Sequence, residues 1–304
     1  MSTTKNTPKK RITDHLITES VNAKTINIDR CNTDKIVTLI NNEDKTIAGS
    51  VYKEKKHIVS AIDLVYKKLS KGGRLFIAGA GTSGRLGVLE AAECPPTFGT
   101  TPGLVRAIIA GGEKAVWKSL EGAEDSLTDS KKQLLKAKIE SRDVLIGVTA
   151  SGDTPFVISA LEFAREKKAS TILLAFNPVK IQVADIIISP VLGPEVIIGS
   201  TRMKAGTATK MILNTITTAV MVKMGKTYQN LMVDVQPRSE KLRNRACRIV
   251  RELVNVSDKK AHSLLRASGW DVKLAVVMGI KNIPLSDARL LLEKNGGFLR
   301  KALE

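Results

Sequence analysis

The most restrictive feature of the chain is a glycine-rich loop that overlaps the end of a short apolar run. Residues 74–80 form the run, and Gly79-Ala80-Gly81-Thr82-Ser83-Gly84 closes it. An apolar run of this length, bounded by glycines, is typical of a strand buried in a parallel sheet. The loop therefore predicts a strand-to-helix turn whose backbone N–H groups can bind an anion.

The same alternation of apolar runs and helical patterns continues along the chain. The further apolar runs cover residues 104–110, 143–148, 171–176 and 186–189. Helical spacing of apolar residues recurs over 47–69, 155–168 and 203–224. Alternating strands and helices predict an α/β fold, a three-layer sandwich around a parallel sheet.

Past residue 238 the strand signals stop, which indicates a separate helical region. Ser257 is a plausible N-cap, and Pro284 and Gly296 mark the two ends of a later helix. We therefore expect three parts: an N-terminal tail and helical segment over 1–45, an α/β domain over 46–240, and a small all-helical module over 241–304. Residues 1–10 are polar and predict a loosely held tail.

Composition excludes several classes of protein. The sparse histidines and cysteines show no metal-ligand or disulfide spacing; they are His15, His57, His262, Cys31, Cys94 and Cys247. No apolar run approaches the roughly 18 residues of a membrane span, and the N-terminus lacks the apolar stretch of a signal peptide. These observations predict a cytoplasmic protein with no membrane partner.

The net charge of +18 raises the question of nucleic acid. Aromatic residues make up only 4% of the chain, so stacking platforms for single strands are scarce. No helix-turn-helix pattern precedes the α/β region. We therefore expect no nucleic-acid partner. The positive charge fits either a basic surface or attraction of a small anionic substrate.

A second hydroxyl-rich loop follows the run at 143–148. It reads Ala150-Ser151-Gly152-Asp153-Thr154-Pro155, and the proline suits a first helical turn. Glycine, serine and threonine also make ordinary turns, so neither loop is decisive alone. Two such loops at the carboxyl edge of one sheet favour a site for a phosphate monoester over a dinucleotide.

Two acidic segments lie close to these loops. Glu90 and Glu93 are three residues apart on a predicted helix, which we expect Pro95-Pro96 to terminate, and 121–125 reads Glu-Gly-Ala-Glu-Asp. Carboxyl groups beside an apolar wall can serve as acid or base. Most helical glutamates are solvated, so the residues alone do not assign either one to catalysis.

Several long motifs resemble the N-acetylmuramic acid 6-phosphate etherases, and the likeness runs from about Thr18-Glu19 to near the C-terminus. The first is Ala80–Gly87 with its continuation Glu93-Cys94-Pro95-Pro96-Thr97-Phe98-Gly99. The others are Ala110–Glu113, Glu121–Asp125, Gly199–Thr207, Asn230–Asp234 and Asn295–Phe298.

The resemblance implies a sugar isomerase (SIS) domain of flavodoxin-like type, a homodimer, and no metal or organic cofactor. It implies cleavage of the lactyl ether of N-acetylmuramic acid 6-phosphate to N-acetylglucosamine 6-phosphate and D-lactate, as part of amino sugar catabolism in cell-wall recycling. Glu93 is then the proton donor and Glu124 the base. The implied substrate-binding residues are Gly81, Thr82, Ser83, Ser151, Gly152, Thr154, Ser200 and Lys204.

Other functions share this domain type. A non-catalytic sugar-phosphate regulator, as in the animal glucokinase regulatory proteins, is the main alternative, and a sugar-phosphate isomerase is the third. The presence of both Glu93 and Glu124 favours the enzyme. The C-terminal region resembles a three-helix ubiquitin-associated (UBA) module, whose purpose the sequence leaves open.

Overall fold

The computed structural model describes residues 16–179, 182–237 and 239–304. The predicted tail over 1–10 and His15 lie outside these ranges. The core is a parallel sheet of five strands in the order β2-β1-β3-β4-β5. The strands are β1 (Leu75–Gly79), β2 (Val105–Ile109), β3 (Val144–Val148), β4 (Ser170–Leu174) and β5 (Ile186–Ile188). All five predicted strands are confirmed, and their order is that of flavodoxin-like sheets.

Helices precede, connect and follow the strands. Before β1 lie α1 (Thr33–Asp44), α2 (Ile47–Lys53) and α3 (Lys55–Leu69). Between the strands and after them lie α4 (Gly81–Phe98), α5 (Lys114–Trp117), α6 (Asp129–Lys136), α7 (Pro155–Glu166) and α8 (Lys204–Lys223). The helical pattern expected over 47–69 is thus two helices, α2 and α3.

Alternate strand residues face opposite layers. Leu75 and Ile77 of β1 belong to one core, which α2, α3, α4 and α8 cover. Phe76 and Ala78 belong to a second core on the other face, which α6 and α7 cover. A sheet buried on both faces explains why the strands read as continuous apolar runs. The predicted three-layer α/β architecture is confirmed.

The expectation that Pro95-Pro96 ends the helix is wrong. Both prolines lie inside α4, which continues to Phe98. A proline at these positions removes the hydrogen bond to the carbonyl four residues earlier. Those carbonyls belong to Ala91, which is partly buried, and Ala92, which is exposed. The helix ends instead at Gly99, whose left-handed conformation (φ 62°) suits a C-cap.

A short hairpin and a group of helices complete the chain. The hairpin joins β6 (Thr227–Tyr228) to β7 (Leu231–Met232). The helices are α9 (Glu240–Val254), α10 (Asp258–Ala267), α11 (Val272–Lys281), α12 (Leu285–Lys294) and α13 (Leu299–Leu303). Ser257 caps α10 as predicted, its hydroxyl accepting from the Lys260 N–H. Five helices occupy the region in place of the expected three.

The C-terminal helices surround an apolar core of their own. An ionic junction links them to the sheet domain: the Asp234 carboxylate accepts from Lys226 at 2.8 Å and from Lys273 at 2.7 Å. Phe298 packs against Gly225, where an added Cβ would lie 2.8 Å from the ring. In the described part of the chain, no helix has the length and hydrophobicity needed to cross a bilayer.

Candidate active site

The two hydroxyl-rich loops leave neighbouring strands side by side. β1 pairs with β3 so that Gly79 lies opposite Val148, and each strand then enters its loop. β1 and β3 flank the point where the strand order reverses. Ligands of open α/β sheets bind outside the carboxyl ends of the strands at such a switch point. The topology thus brings the two predicted loops to one place.

The first loop is shaped by glycines that allow the end of β1 to touch the start of α4. A Cβ on Gly79 would lie 2.7 Å from the Gly84 nitrogen, and one on Gly84 would lie 2.6 Å from the Gly79 oxygen. Gly81 has a φ of 53° and opens the helix. Thr82 and Ser83 consequently stand in the first turn of α4, where free N–H groups and the helix dipole favour an anion.

The second loop is organised by Thr149, a buried residue that the sequence had not singled out. Its hydroxyl lies 2.7 Å from the Thr154 hydroxyl and 3.2 Å from the Ser151 hydroxyl. It also accepts from the Gly152 N–H at 3.2 Å. These bonds hold both predicted hydroxyls in place before any ligand arrives. The loop leads into α7, whose first residue is Pro155 as expected.

The loops enclose a cavity of about 320 Å³, which we name the loop cavity. Five predicted substrate-binding residues line it: Gly81, Thr82, Ser83, Ser151 and Thr154. A second cavity of about 270 Å³ adjoins it and shares Ala80, Gly81 and Glu124. The space suits a small ligand with a phosphate at one end.

Glu124 stands where the two cavities meet. It lies on a short 3-10 turn, Ala123–Asp125, that follows Gly122 in a left-handed conformation (φ 72°). Within the described residues no cation lies within ion-pair distance of the carboxylate. Glu124 is therefore free to accept a proton or a hydrogen bond from a ligand in the loop cavity.

Glu93 lies outside both cavities. It is 12 residues beyond Gly81 on α4, a distance of about 18 Å along the helix axis. Its side chain is exposed, whereas Glu90 is buried and accepts from Asn214 of α8 at 2.5 Å and from Thr217. Within one protomer, Glu93 therefore lines neither of the two cavities that Glu124 lines.

Three further predicted residues do not line the loop cavity: Gly152, Ser200 and Lys204. Lys204 is only 2% exposed, and its ammonium donates to Glu43 at 2.8 Å and to the Pro194 oxygen at 3.0 Å. Its backbone N–H donates to the buried Glu195 at 2.9 Å. The Lys204 ammonium is thus bound by Glu43 and the Pro194 oxygen and does not line the loop cavity.

The ion pair sets the protonation state of Glu43. Burial by itself raises the pKa of the Glu43 carboxyl, but hydrogen bonds from Lys204 and Lys24 outweigh burial and bring the pKa to about 2. Burial also raises the pKa of Glu195, against the hydrogen bonds from the Lys204 and Ala205 N–H groups. The cluster fastens α1 to the segment before α8.

Cys94 and Arg85 have structural surroundings. Burial raises the pKa of the Cys94 thiol to about 12, and the Glu90 and Glu93 charges add to the rise. A thiol of this pKa stays protonated at neutral pH, which agrees with packing and not with a nucleophile. The Arg85 guanidinium lines the second cavity and donates to the Val116 and Lys118 oxygens at 3.0 and 3.1 Å.

Sequence reasoning missed several residues of the loop cavity: Thr18, Glu19, Thr149, Gly199 and Thr201. Thr18 and Glu19 precede the first loop by some 60 residues, and no spacing pattern links them to it. The only available signal was the resemblance, which begins at Thr18-Glu19.

Comparison with known proteins gives the family. The chain is 48% identical over 293 residues to the N-acetylmuramic acid 6-phosphate etherase of Clostridium acetobutylicum, covering 96% of this chain and 97% of that protein. It is 46% identical to the etherase of Vibrio atlanticus, with 95% of each covered. The chain belongs to the N-acetylmuramic acid 6-phosphate etherase family.

More distant likenesses are partial. The family model for the glucokinase regulatory protein N-terminal SIS domain matches residues 57–165 of this etherase-family chain. Phosphoheptose isomerase from Neisseria gonorrhoeae is 16% identical with a TM-score of 0.47, covering 62% of this chain and 98% of that one. The Vibrio vulnificus NanR protein complexed with ManNAc-6P is 15% identical with a TM-score of 0.44, covering 64% and 66%.

Two motifs that resemble the etherases lie away from the loop cavity. Asn230–Asp234 and Asn295–Phe298 meet at the ionic junction: Lys273 joins the Asp234 carboxylate to the Gly297 oxygen, which it reaches at 2.9 Å. The backbone oxygen of Asp234 lies where a Cβ on Gly99 would stand, 2.2 Å away. These etherase-like motifs therefore connect the C-terminal helices to the end of α4.

Proposed function

We propose that this chain is an N-acetylmuramic acid 6-phosphate etherase, which releases D-lactate and N-acetylglucosamine 6-phosphate. The observation that carries the proposal is the position of Glu124 in a cavity formed by two hydroxyl-rich helix N-termini. The chain is 46–48% identical, over nearly its full length, to proteins named as this etherase. This similarity supports an etherase over a non-catalytic sugar-phosphate regulator. The reaction belongs to the catabolism of cell-wall amino sugars.

The two loops bind the 6-phosphate. The first turn of α4 offers the Thr82 and Ser83 hydroxyls, and the second loop offers Ser151 and Thr154 beside the start of α7. Hydroxyls and N–H groups at two helix N-termini stabilise a dianion without a formal positive charge. The cavity thus provides for the phosphate of this substrate with backbone and hydroxyl groups.

The chemistry is an elimination followed by addition of water. In the open-chain sugar the aldehyde makes the C2 proton acidic, and Glu124 removes it. The C3–O bond then breaks, and the departing lactyl oxygen takes a proton from Glu93. Water then adds at C3 of the unsaturated aldehyde and gives a proton to the Glu93 carboxylate, while Glu124 returns its proton to C2, so both glutamates regain their starting states. Two carboxyl groups in opposite protonation states suffice for these transfers.

Because Glu93 is far from the loop cavity of its own protomer, we propose a homodimer whose active sites each combine residues of both copies. Ser83 and Glu93 are ten residues apart, about 15 Å along α4, which exceeds the length of a hexose phosphate, so Glu93 of the same protomer does not reach a sugar held by Ser83. We propose that a second copy supplies Glu93 to each cavity. A twofold dimer forms two such sites at once.

Exposed apolar groups mark the surface that the second copy covers. Arg85, Leu89 and Glu93 follow each other at four-residue spacing and share one face of α4. Leu89 is 45% exposed, and Trp117, next to the carbonyls that Arg85 binds, is 84% exposed. Large exposed apolar side chains around a functional carboxylate are typical of a protein interface.

An assay of products separates the candidate functions. Incubation with N-acetylmuramic acid 6-phosphate is expected to yield equal amounts of D-lactate and N-acetylglucosamine 6-phosphate. A regulator binds the sugar phosphate and leaves it intact, and an isomerase yields an isomer without lactate. Either of these results contradicts the etherase proposal.

We further propose the division at 45 and 240 and a cytoplasmic location. The separate apolar core of the C-terminal helices supports the second boundary. We also propose that three of its five helices form a UBA-type module. Nothing in the proposed reaction requires a metal or organic cofactor, a nucleic acid or a membrane.

A further inference from the structure

An N-terminal strap, defined here as residues 16–30, passes beside the carboxyl edge of the sheet before α1 begins. Its first 3-10 turn, Ile17–Glu19, brings Thr18 and Glu19 to the wall of the loop cavity. The strap comes to the cavity from far away in sequence, so its position depends on bonds to the elements around it.

One buried amide fixes the strap to the second loop. The Asn177 side chain, 1% exposed, accepts from the Ile17 N–H at 2.6 Å and the Thr18 N–H at 3.4 Å. Its amide nitrogen donates to the Thr18 hydroxyl at 2.9 Å and to the Ala150 oxygen at 2.8 Å. A buried amide left unpaired is costly, so these four bonds hold the turn that carries Glu19 against the second loop.

The segment before α8 fixes the strap from the other side. The Thr25 hydroxyl donates to the Val196 oxygen at 2.8 Å, and the Gly199 N–H donates to the Thr18 oxygen at 3.4 Å. Gly199 allows close approach: an added Cβ would lie 2.9 Å from a carboxylate oxygen of Glu19. The Glu19 carboxylate is thus placed between two segments that both line the cavity.

Glu19 and Glu124 are the two carboxylates among the described residues that line the loop cavity. No Lys or Arg in the described ranges pairs with Glu19 within ion-pair distance. A carboxylate repels the phosphate that the loops bind, but it accepts strong hydrogen bonds from hydroxyl groups. Its ligand is therefore the neutral, hydroxyl-bearing part of the sugar.

We infer that Glu19 is a substrate-binding residue that accepts hydrogen bonds from the hydroxyls at C4 and C5. This inference rests on the proposed function. In the substrate these carbons lie between the C6 phosphate, held by the loops, and the C2 and C3 centres, where Glu124 works. The C5 oxygen becomes a hydroxyl only when the ring opens. Glu19 thereby favours the open-chain form that the elimination requires.

The test compares Glu19→Ala on two substrates, N-acetylmuramic acid 6-phosphate and its 4-deoxy analogue. With the parent substrate Glu19→Ala is expected to lower kcat/KM at least about 10- to 100-fold, because even one of its two charged hydrogen bonds contributes that much. For the wild type, kcat/KM is expected to be lower with the 4-deoxy analogue than with the parent substrate by much of the same factor. For Glu19→Ala, the difference in kcat/KM between the two substrates is expected to be far smaller. Asp29→Asn, on the second 3-10 turn of the strap and outside the cavity, is the matched control.

Inhibition by inorganic phosphate and the unfolding temperature report on the loops and the fold, and both are expected to stay unchanged in Glu19→Ala. An active wild type whose Glu19→Ala variant keeps full kcat/KM overturns the inference, as does an equal loss on both substrates. A wild type that releases no lactate overturns the proposed function instead. In that case calorimetry measures the affinities of wild type and Glu19→Ala for N-acetylglucosamine 6-phosphate and its 4-deoxy analogue. A role for Glu19 in binding the C4 hydroxyl requires that the wild type discriminate between the two ligands more strongly than the variant.

Discussion

Glu124 and Glu93 come from two equally specific motifs, yet the structure gives them opposite surroundings. Glu124 stands on a short turn at the junction of the two cavities. Glu93 is exposed on α4, about 15 Å along the helix from Ser83, the last helix residue that lines the loop cavity. A motif can identify a functional residue without saying which copy of the chain uses it.

The same contrast holds between the two cations of the Gly199–Thr207 motif. Arg202 is exposed, whereas Lys204 is enclosed by Glu43 and the Pro194 oxygen. Charge near a predicted anion site therefore does not assign a binding role. The loop cavity itself is built from hydroxyls, backbone N–H groups and carboxylates.

The largest expected effect separates the two glutamates by the step each serves. Glu124→Gln and Glu93→Gln should each lower D-lactate release by about 100- to 10,000-fold. Deuterium uptake at C2 of N-acetylglucosamine 6-phosphate needs only the base, so Glu124→Gln should abolish it and Glu93→Gln should retain it. Asp125→Asn, on the same turn and outside both cavities, is the control. Loss of exchange in both variants would remove the division of roles.

The buried cluster of Lys204, Glu43 and Glu195 should affect the free energy of unfolding, whereas the residues of the loop cavity should affect turnover. Glu43 has a pKa of about 2 against an ordinary 4.5. A lowered folded-state pKa contributes stability that is present above pH 4.5 and is lost as pH falls toward 2, in total roughly 3 kcal/mol. Chemical denaturation between pH 5 and about 2.5 measures this slope.

Glu43→Gln should be less stable at neutral pH, because Lys204 stays buried without its partner, and should show a smaller loss on acidification. Asp63→Asn, which removes an exposed ion pair of 2.7 Å with Lys223, against 2.8 Å for the buried Glu43–Lys204 pair, should leave the slope unchanged. An unchanged slope in Glu43→Gln would show that the pair does not titrate as described.

A smaller effect is expected from the loop hydroxyls. Ser83→Ala and Ser151→Ala should each raise KM about three- to tenfold with little change in kcat, because each removes one hydrogen bond to a group distant from C2 and C3. Ser60→Ala, on the exposed side of α3, is the control. Unchanged KM in both loop variants would eliminate the two-loop phosphate site.

The smallest effect concerns the net charge of +18. If the field steers an anionic substrate, kcat/KM should fall a fewfold between about 0.01 and 0.15 M ionic strength, since the Debye length shortens from about 30 to 8 Å. The rate with saturating substrate should change little. A kcat/KM that is insensitive to salt would remove the steering role.

The fold was largely predictable from local pattern. Strands buried on both faces are continuous apolar runs bounded by glycine, and the helix at Pro155 carried its own start signal. The end of α4 was not predictable in this way, because the helix continues through Pro95 and Pro96 to Phe98 although each proline lacks an N–H to donate. The buried ion pair of Lys204 was not predictable either, because its partner Glu43 lies 161 residues away in the sequence.

The candidate site was predictable in part. The two hydroxyl-rich loops directly follow predicted strands, so their position and their serine and threonine side chains can be read from the sequence. Thr18 and Glu19, in contrast, are held at the cavity by long-range bonds such as those to Asn177. Long-range placement of this kind leaves no periodic signal in the chain. The separation of Glu93 from Glu124 likewise depends on the direction of α4, which spacing does not reveal.

Mixing two inactive variants tests the composite site most directly. Purified Glu93→Gln and Glu124→Gln proteins are unfolded together, refolded and assayed for D-lactate. If Glu93 of one copy serves Glu124 of the other, each mixed dimer contains one intact site, and random mixing should restore about a quarter of wild-type activity. Each variant refolded alone should stay inactive. A mixture of confirmed heterodimers with no more activity than its parents would show that both glutamates act within one protomer, which contradicts the account.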